Sequence, residues 1–170
     1  MTQFIIIVLI VLGIGGFLAI HNREGKDRIL YGYKKRSFFL SRAEHECYDA
    51  LVTAVGNQYY VFAQVHLPTL VDNKVVGQNW HAAFRHISEK SVDFVLCDKA
   101  YISPKLAIEL DDKTHERPER MERDREVERI LKDAGISLLR LENHGRFSPL
   151  ALAEQIRDMM GSEKRLNRNL

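Results

Sequence analysis

Two short apolar runs constrain this chain more than anything else in it. They are VDFVLCD at 92–98 and KLAIELDD at 105–112, and each carries acid where a buried strand should be apolar. Asp93 stands near the start of the first run. Glu109, Asp111 and Asp112 close the second, with His115 just beyond. Side chains alternate faces along a strand. Leu106, Ile108 and Leu110 therefore share one face, and Ala107, Glu109 and Asp111 the other. Two residues advance a strand by about 6.6 Å, so Glu109 and Asp111 are neighbours. A hairpin centred on Tyr101 sets Asp93 opposite Glu109, because both lie eight positions from its centre. That register gathers three carboxylates into one patch.

Like charges facing each other on a sheet are destabilising, and a partly buried carboxylate cluster raises its pKa values or recruits a cation. Ligands that are all oxygen suit a hard ion such as Mg²⁺, Mn²⁺ or Ca²⁺. The plainer alternative is that these acids are solvated at exposed strand ends.

The chain has 170 residues, enough for one domain and little more, and 45% of them are hydrophobic, as in a globular protein. A net charge of +2 says nothing by itself about nucleic acid. Cys47 and Cys97 form no CxxC pair, so neither a disulfide framework nor a cysteine zinc site is expected.

Residues 4–20, FIIIVLIVLGIGGFLAI, contain no charge. As a helix they rise about 26 Å, near the lower limit for crossing a bilayer. No basic n-region precedes them, which argues for an uncleaved anchor over a signal peptide. Arg23, Lys26, Arg28, Lys34, Lys35 and Arg36 follow, against Glu24 and Asp27. Positive flanks stay inside, so the expectation is a single-pass inner-membrane protein with its C-terminal domain in the cytoplasm. Residues 21–37 read as a basic tether. Tyr31 and Tyr33 lie among its basic residues and Phe38 and Phe39 directly follow it, a mixture that suits a membrane interface and also stacks on single-stranded bases.

Ser41 opens a helix to about Val55, and Ser41-x-x-Glu44 fits a capping box. Tyr59 to Leu67 reads as a strand interrupted by Gln64. Asn79 to His86 suits a short helix or an ordered loop, with Trp80 and Phe84 four apart as expected core. Beyond the acidic runs, residues 116–134 form a charged helix starting near Pro118, and Gly135 stops it. Ile136 to Glu142 is a fourth strand. Ser148-Pro149 starts a last helix that Gly161 ends, leaving a polar tail at 162–170.

The order after the N-terminal segment is helix, three strands, helix, strand, helix, which makes a mixed α/β domain over residues 38–161 with helices on a small mixed sheet. The strings LSRAEHECYDAL, VFAQVHL, VDFVLCD, AIELDDKTHERPERMERD and AGISLLRLE resemble domain of unknown function 2726. That bacterial family belongs to the PD-(D/E)XK, or restriction-endonuclease-like, superfamily, near the very-short-patch-repair type endonucleases. The resemblance spans about 38–142 and implies the αβββαβ core of that fold. It sets Asp93 at the first motif aspartate and Glu109 at the acid of the second motif. Asp111 takes the place of the usual lysine, and His115 the histidine of an ELD…H variant. Glu44 matches the acid of the first helix, Gln64 the strand glutamine, and Arg120 and Asp124 polar residues of the charged helix. The missing lysine normally positions or activates the attacking water; Lys113 and His115 stand nearby as substitutes.

The resemblance implies a membrane-tethered, metal-dependent nuclease acting on DNA. Asp93, Glu109 and the backbone carbonyl of Leu110 would hold Mg²⁺ or Mn²⁺. Asp111 or His115 would orient or deprotonate water, and Glu44 would reach the ion through water. Arg120 or Arg140 would offset transition-state charge, although a strand arginine more commonly pairs with a buried acid. Two rivals remain: an inactive nucleic-acid-binding module on the same fold, and a membrane-bound interaction protein whose acids merely cap strands.

Overall fold

The computed structural model describes residues 1–21, 31–111, 118–143 and 145–166. It divides into two compact units, Met1–Ser37 and Phe38–Leu170. In the first, α1 runs Thr2–His21. Among the described residues no helix is long and apolar enough to cross a membrane. The anchor expected over residues 4–20 therefore gains no support from the structure, and several side chains of α1 lie outside the described set.

The second unit contains α2 (Arg42–Val55), β1 (Tyr59–His66), α3 (Trp80–Ile87), β2 (Ser91–Asp98), β3 (Pro104–Asp111), α4 (Pro118–Asp133), β4 (Ser137–Glu142) and α5 (Pro149–Leu166). The sheet order is β1-β2-β3-β4. The first three strands are antiparallel, and β4 joins β3 in parallel through α4. This is the mixed α/β architecture with a small mixed sheet expected from the sequence.

Helices cover both faces. On one, Cys47 and Leu51 of α2 and Leu152 and Ile156 of α5 bury against Phe94, Leu96, Leu106, Ile108 and Leu141. On the other, Val127 and Leu131 of α4, with Ile87 and Leu67, cover Val92, Val95 and Ala107. A buried Leu or Phe contributes about 1.5–3 kcal/mol through apolar surface removed from water. Gly56 (φ +50°) and Gly135 (φ +72°) let the chain leave α2 and α4 through left-handed backbone.

Two expectations are corrected. Trp80 and Phe84 are not core: each keeps 46% of its surface exposed. α3 has eight residues and buries only Ile87, so its other apolar side chains have nothing to pack into, and Trp80 stacks on His81 instead. Gly161 does not end the last helix, which continues to Leu166. A glycine inside a helix costs about 1 kcal/mol relative to alanine, less than α5 gains by packing its earlier turns.

Candidate functional site

The β2–β3 pairing is Phe94↔Ile108, Val95↔Ala107 and Leu96↔Leu106. Its symmetric centre is Tyr101, the register that places Asp93 across from Glu109. At the turn, Asp98 accepts from the Tyr101 amide at 2.8 Å and pairs with Lys105 at 3.1 Å. Ile102 takes a left-handed backbone (φ +56°), and a bulge between Leu96 and Cys97 absorbs the remaining offset.

At the opposite end of the hairpin the ladder stops after Phe94↔Ile108. There the Leu110 amide donates to Oδ2 of Asp93 at 2.8 Å. The carboxylate takes over as the next acceptor, which fixes Asp93 against the strand that carries Glu109. β1 has its own irregularity here. Ala63 pairs with Phe94 and Val65 with Val92, while Gln64 between them is left-handed at φ +54°. Its side-chain Nε2 donates to Oε1 of Glu44 at 2.7 Å. The other oxygen of Glu44 accepts from the Ser41 amide at 2.6 Å, and the Glu44 amide donates back to Ser41 Oγ at 3.3 Å. The capping box is complete. Glu44 therefore both caps α2 and braces Gln64.

On the α4 side, Arg140 is in register with Glu109, and Glu142 with Asp111. Arg140 Nη1 lies 3.0 Å from Oδ1 of Asp111, and Nη2 donates to the main-chain carbonyl of Asp124 at 3.3 Å. Strand ends and two helices thus bring Glu44, Gln64, Asp93, Glu109, Asp111 and Arg140 to one end of the sheet. Asp124 contributes its carbonyl and its charge.

The electrostatics follow from that crowding. Burial pushes Glu109 up from 4.5 to about 8, reinforced by the charge of Asp93 and opposed by Arg140. Asp93 is also raised, first by burial, against the Leu110 amide, with Glu44 adding repulsion. Burial, then Asp93, pushes the Cys47 thiol up to about 12, so this cysteine is an inert core residue. At neutral pH the Asp93–Glu109 pair retains a proton that a solvated pair of acids releases.

Among the described residues no group of three or more His, Cys, Asp or Glu is placed to hold a metal ion. The acids brought together at the ladder end are Asp93 and Glu109, with the Leu110 amide bonded to Asp93. His115, Asp112 and Lys113 lie outside the described residues, as does the side chain of Arg120. Two features had no clear signal in the sequence. Glutamine is not a residue type that announces left-handed backbone, and the acceptor for the Leu110 amide follows only from how two strands meet.

No curated protein and no solved structure matches the chain. The family described as Protein of unknown function (DUF2726) matches residues 36–160, which include every site residue named above. The chain belongs to that family.

Proposed function

We propose that the α/β domain is nuclease-like, of the PD-(D/E)XK type, and hydrolyses phosphodiester bonds, with DNA as substrate and Mg²⁺ or Mn²⁺ as cofactor. One observation carries the reading: Asp93 and Glu109, on adjacent antiparallel strands, sit partly buried at the end of the ladder, and both are shifted toward the protonated form. Two crowded acids cost stability unless the arrangement serves a ligand. The donors fit a hard divalent cation, since all are oxygen. Asp93, Glu109 and the Leu110 carbonyl would hold it. Such an ion supplies a polarised phosphate and a water of lowered pKa.

The chain's own residues do the rest. The Leu110 amide fixes one oxygen of Asp93, and Glu109 shares a hydrogen bond with the same carboxylate. Burial holds Glu109 up to about 8, so it can release its proton when a cation arrives. Both oxygens of Glu44 are occupied, so it acts by holding Gln64.

Nicking of supercoiled plasmid by the full-length protein, with Mg²⁺ or Mn²⁺ and with Glu109→Gln as control, tests the reading. Divalent-dependent nicking that the variant lacks supports it. No nicking, together with no divalent-dependent rise in melting temperature, refutes it.

Asp111 favours the second reading, a nucleic-acid-binding module without turnover. It stands where the superfamily has lysine, and its carboxylate is committed to Arg140. That reading predicts salt-dependent binding with no cleavage. Attachment to the cytoplasmic face of a membrane rests on the uncharged run at 4–20 and its basic flank alone. Alkaline carbonate extraction of the full-length protein tests it.

A further inference from the structure

Arg140 is a cation set among acids, and pairing does not exhaust it. It sits beside Glu109 in the β3–β4 register, yet its guanidinium bonds elsewhere, to Asp111 at 3.0 Å and to the Asp124 carbonyl at 3.3 Å. These anchors come from different elements, β3 and α4, so together they fix the orientation of the guanidinium plane. A guanidinium carries five N–H donors in a rigid fork. Among the described residues only two of these have partners. The side chain is 30% exposed and that of Asp111 42% exposed, so the remaining donors can meet a solute without unpacking the core.

A structural ion pair is the competing explanation. Partly exposed pairs contribute little to stability, and the β3–β4 ladder holds the strands together without this one. The other described pairs of this kind behave differently. Lys90 closes on Glu126 and Lys105 on Asp98 with compact ammonium groups. Arg42–Glu46 and Arg129–Asp133 are exposed pairs one helical turn apart. Arg140 alone among these sits beside the partly buried acid pair.

The geometry points to Arg140 as the residue that binds the substrate's phosphate, held in place by Asp111 and the Asp124 carbonyl, with its free N–H groups directed to the non-bridging oxygens of a phosphodiester presented to Asp93 and Glu109. This inference rests on the phosphodiester reading above. It makes Asp111 a positioning residue instead of the base or water-orienting group that its sequence position suggested. Arginine suits the task because its fork matches two phosphate oxygens at once, which an ammonium does not.

The test uses full-length protein with ¹⁵N-labelled arginine. A short single-stranded oligodeoxynucleotide is titrated in EDTA while the Nε–H signal of Arg140 is followed by NMR. The same oligonucleotide serves for affinity measurements on Arg140→Gln, Arg140→Lys and Asp111→Asn. The expected result is movement of the Arg140 signal on binding. Arg140→Gln should weaken binding about tenfold to a hundredfold, the range for hydrogen bonds to a charged group. Arg140→Lys should recover part of that loss, and Asp111→Asn should weaken binding while leaving the melting temperature close to wild type.

Where the wild type cleaves, Arg140→Gln should raise KM. Cleavage with KM unchanged and a stationary Arg140 signal overturns the inference and leaves the nuclease reading standing. A moving signal without any cleavage supports phosphate binding by Arg140 and removes the hydrolytic reading. Binding that is equal in all three variants overturns the inference whether or not cleavage occurs. Absence of both binding and cleavage overturns both. If Arg140→Gln does not fold, the wild-type titration and Asp111→Asn still decide.

Discussion

Asp93 accepts a hydrogen bond from the main-chain amide of Leu110, 2.8 Å away on the neighbouring strand. A side chain thus supplies the acceptor that the ladder lacks beyond Phe94↔Ile108. The same carboxylate is buried, meets the charges of Glu44 and Asp111, and shares a hydrogen bond with Glu109, so it is a structural acceptor and a destabilised charge at once.

That dual role separates two substitutions. Asp93→Asn keeps an acceptor for the Leu110 amide and removes a charge, so urea unfolding should show stability equal to or above wild type. Asp93→Ala leaves a half-buried amide without its acceptor, at a cost of about 1–3 kcal/mol. Equal stability of the two variants would mean that water replaces the carboxylate.

Glu109 sets the pH dependence. Its value in the folded protein, about 8, lies above its ordinary value of 4.5. Between those two values the native state keeps a proton that the unfolded chain has released. The stability tied to this group is therefore complete below pH 4.5 and is lost as pH rises through 8. Without divalent ions the melting temperature should fall across that window, and Glu109→Gln should flatten the fall. Mg²⁺ competes with the proton, so its stabilising effect should grow over the same range. A melting temperature that rises with pH there would contradict the raised value.

Gln64 offers a test of backbone strain. In an ordinary strand, glycine is about 0.5–1 kcal/mol less stable than alanine. At φ +54° the order should invert, because a left-handed L-residue is penalised by about 1–2 kcal/mol. Gln64→Gly should unfold at higher urea than Gln64→Ala, although both lose the bond to Glu44. The comparison isolates the backbone because neither variant has a side chain that reaches Glu44.

The correction at α3 can be checked the same way. Leu51 is fully buried, and Leu51→Ala should cost about 2–5 kcal/mol. Phe84, nearly half exposed, should cost clearly less on truncation to alanine, under about 2 kcal/mol. Comparable losses would return Phe84 to the core.

The sequence by itself determined the elements and one register. The alternation of Leu106, Ala107, Ile108, Glu109, Leu110 and Asp111 fixed which residues face which layer, since a strand has a period of two. With a centre at Tyr101 this was enough to pair Phe94 with Ile108. Ser41-x-x-Glu44 announced its cap because that bond spans only three residues. Only the tertiary structure decided where the polar side chains spend their hydrogen bonds. Glu44 meets Gln64 across twenty residues, and Arg140 meets Asp111 across twenty-nine. Such contacts depend on which strands become neighbours and how far each ladder runs, and no local period encodes either. Trp80 and Phe84 failed for the same reason. Spacing of four puts two side chains on one helix face, but whether that face is covered depends on the length of the helix and on what packs beside it.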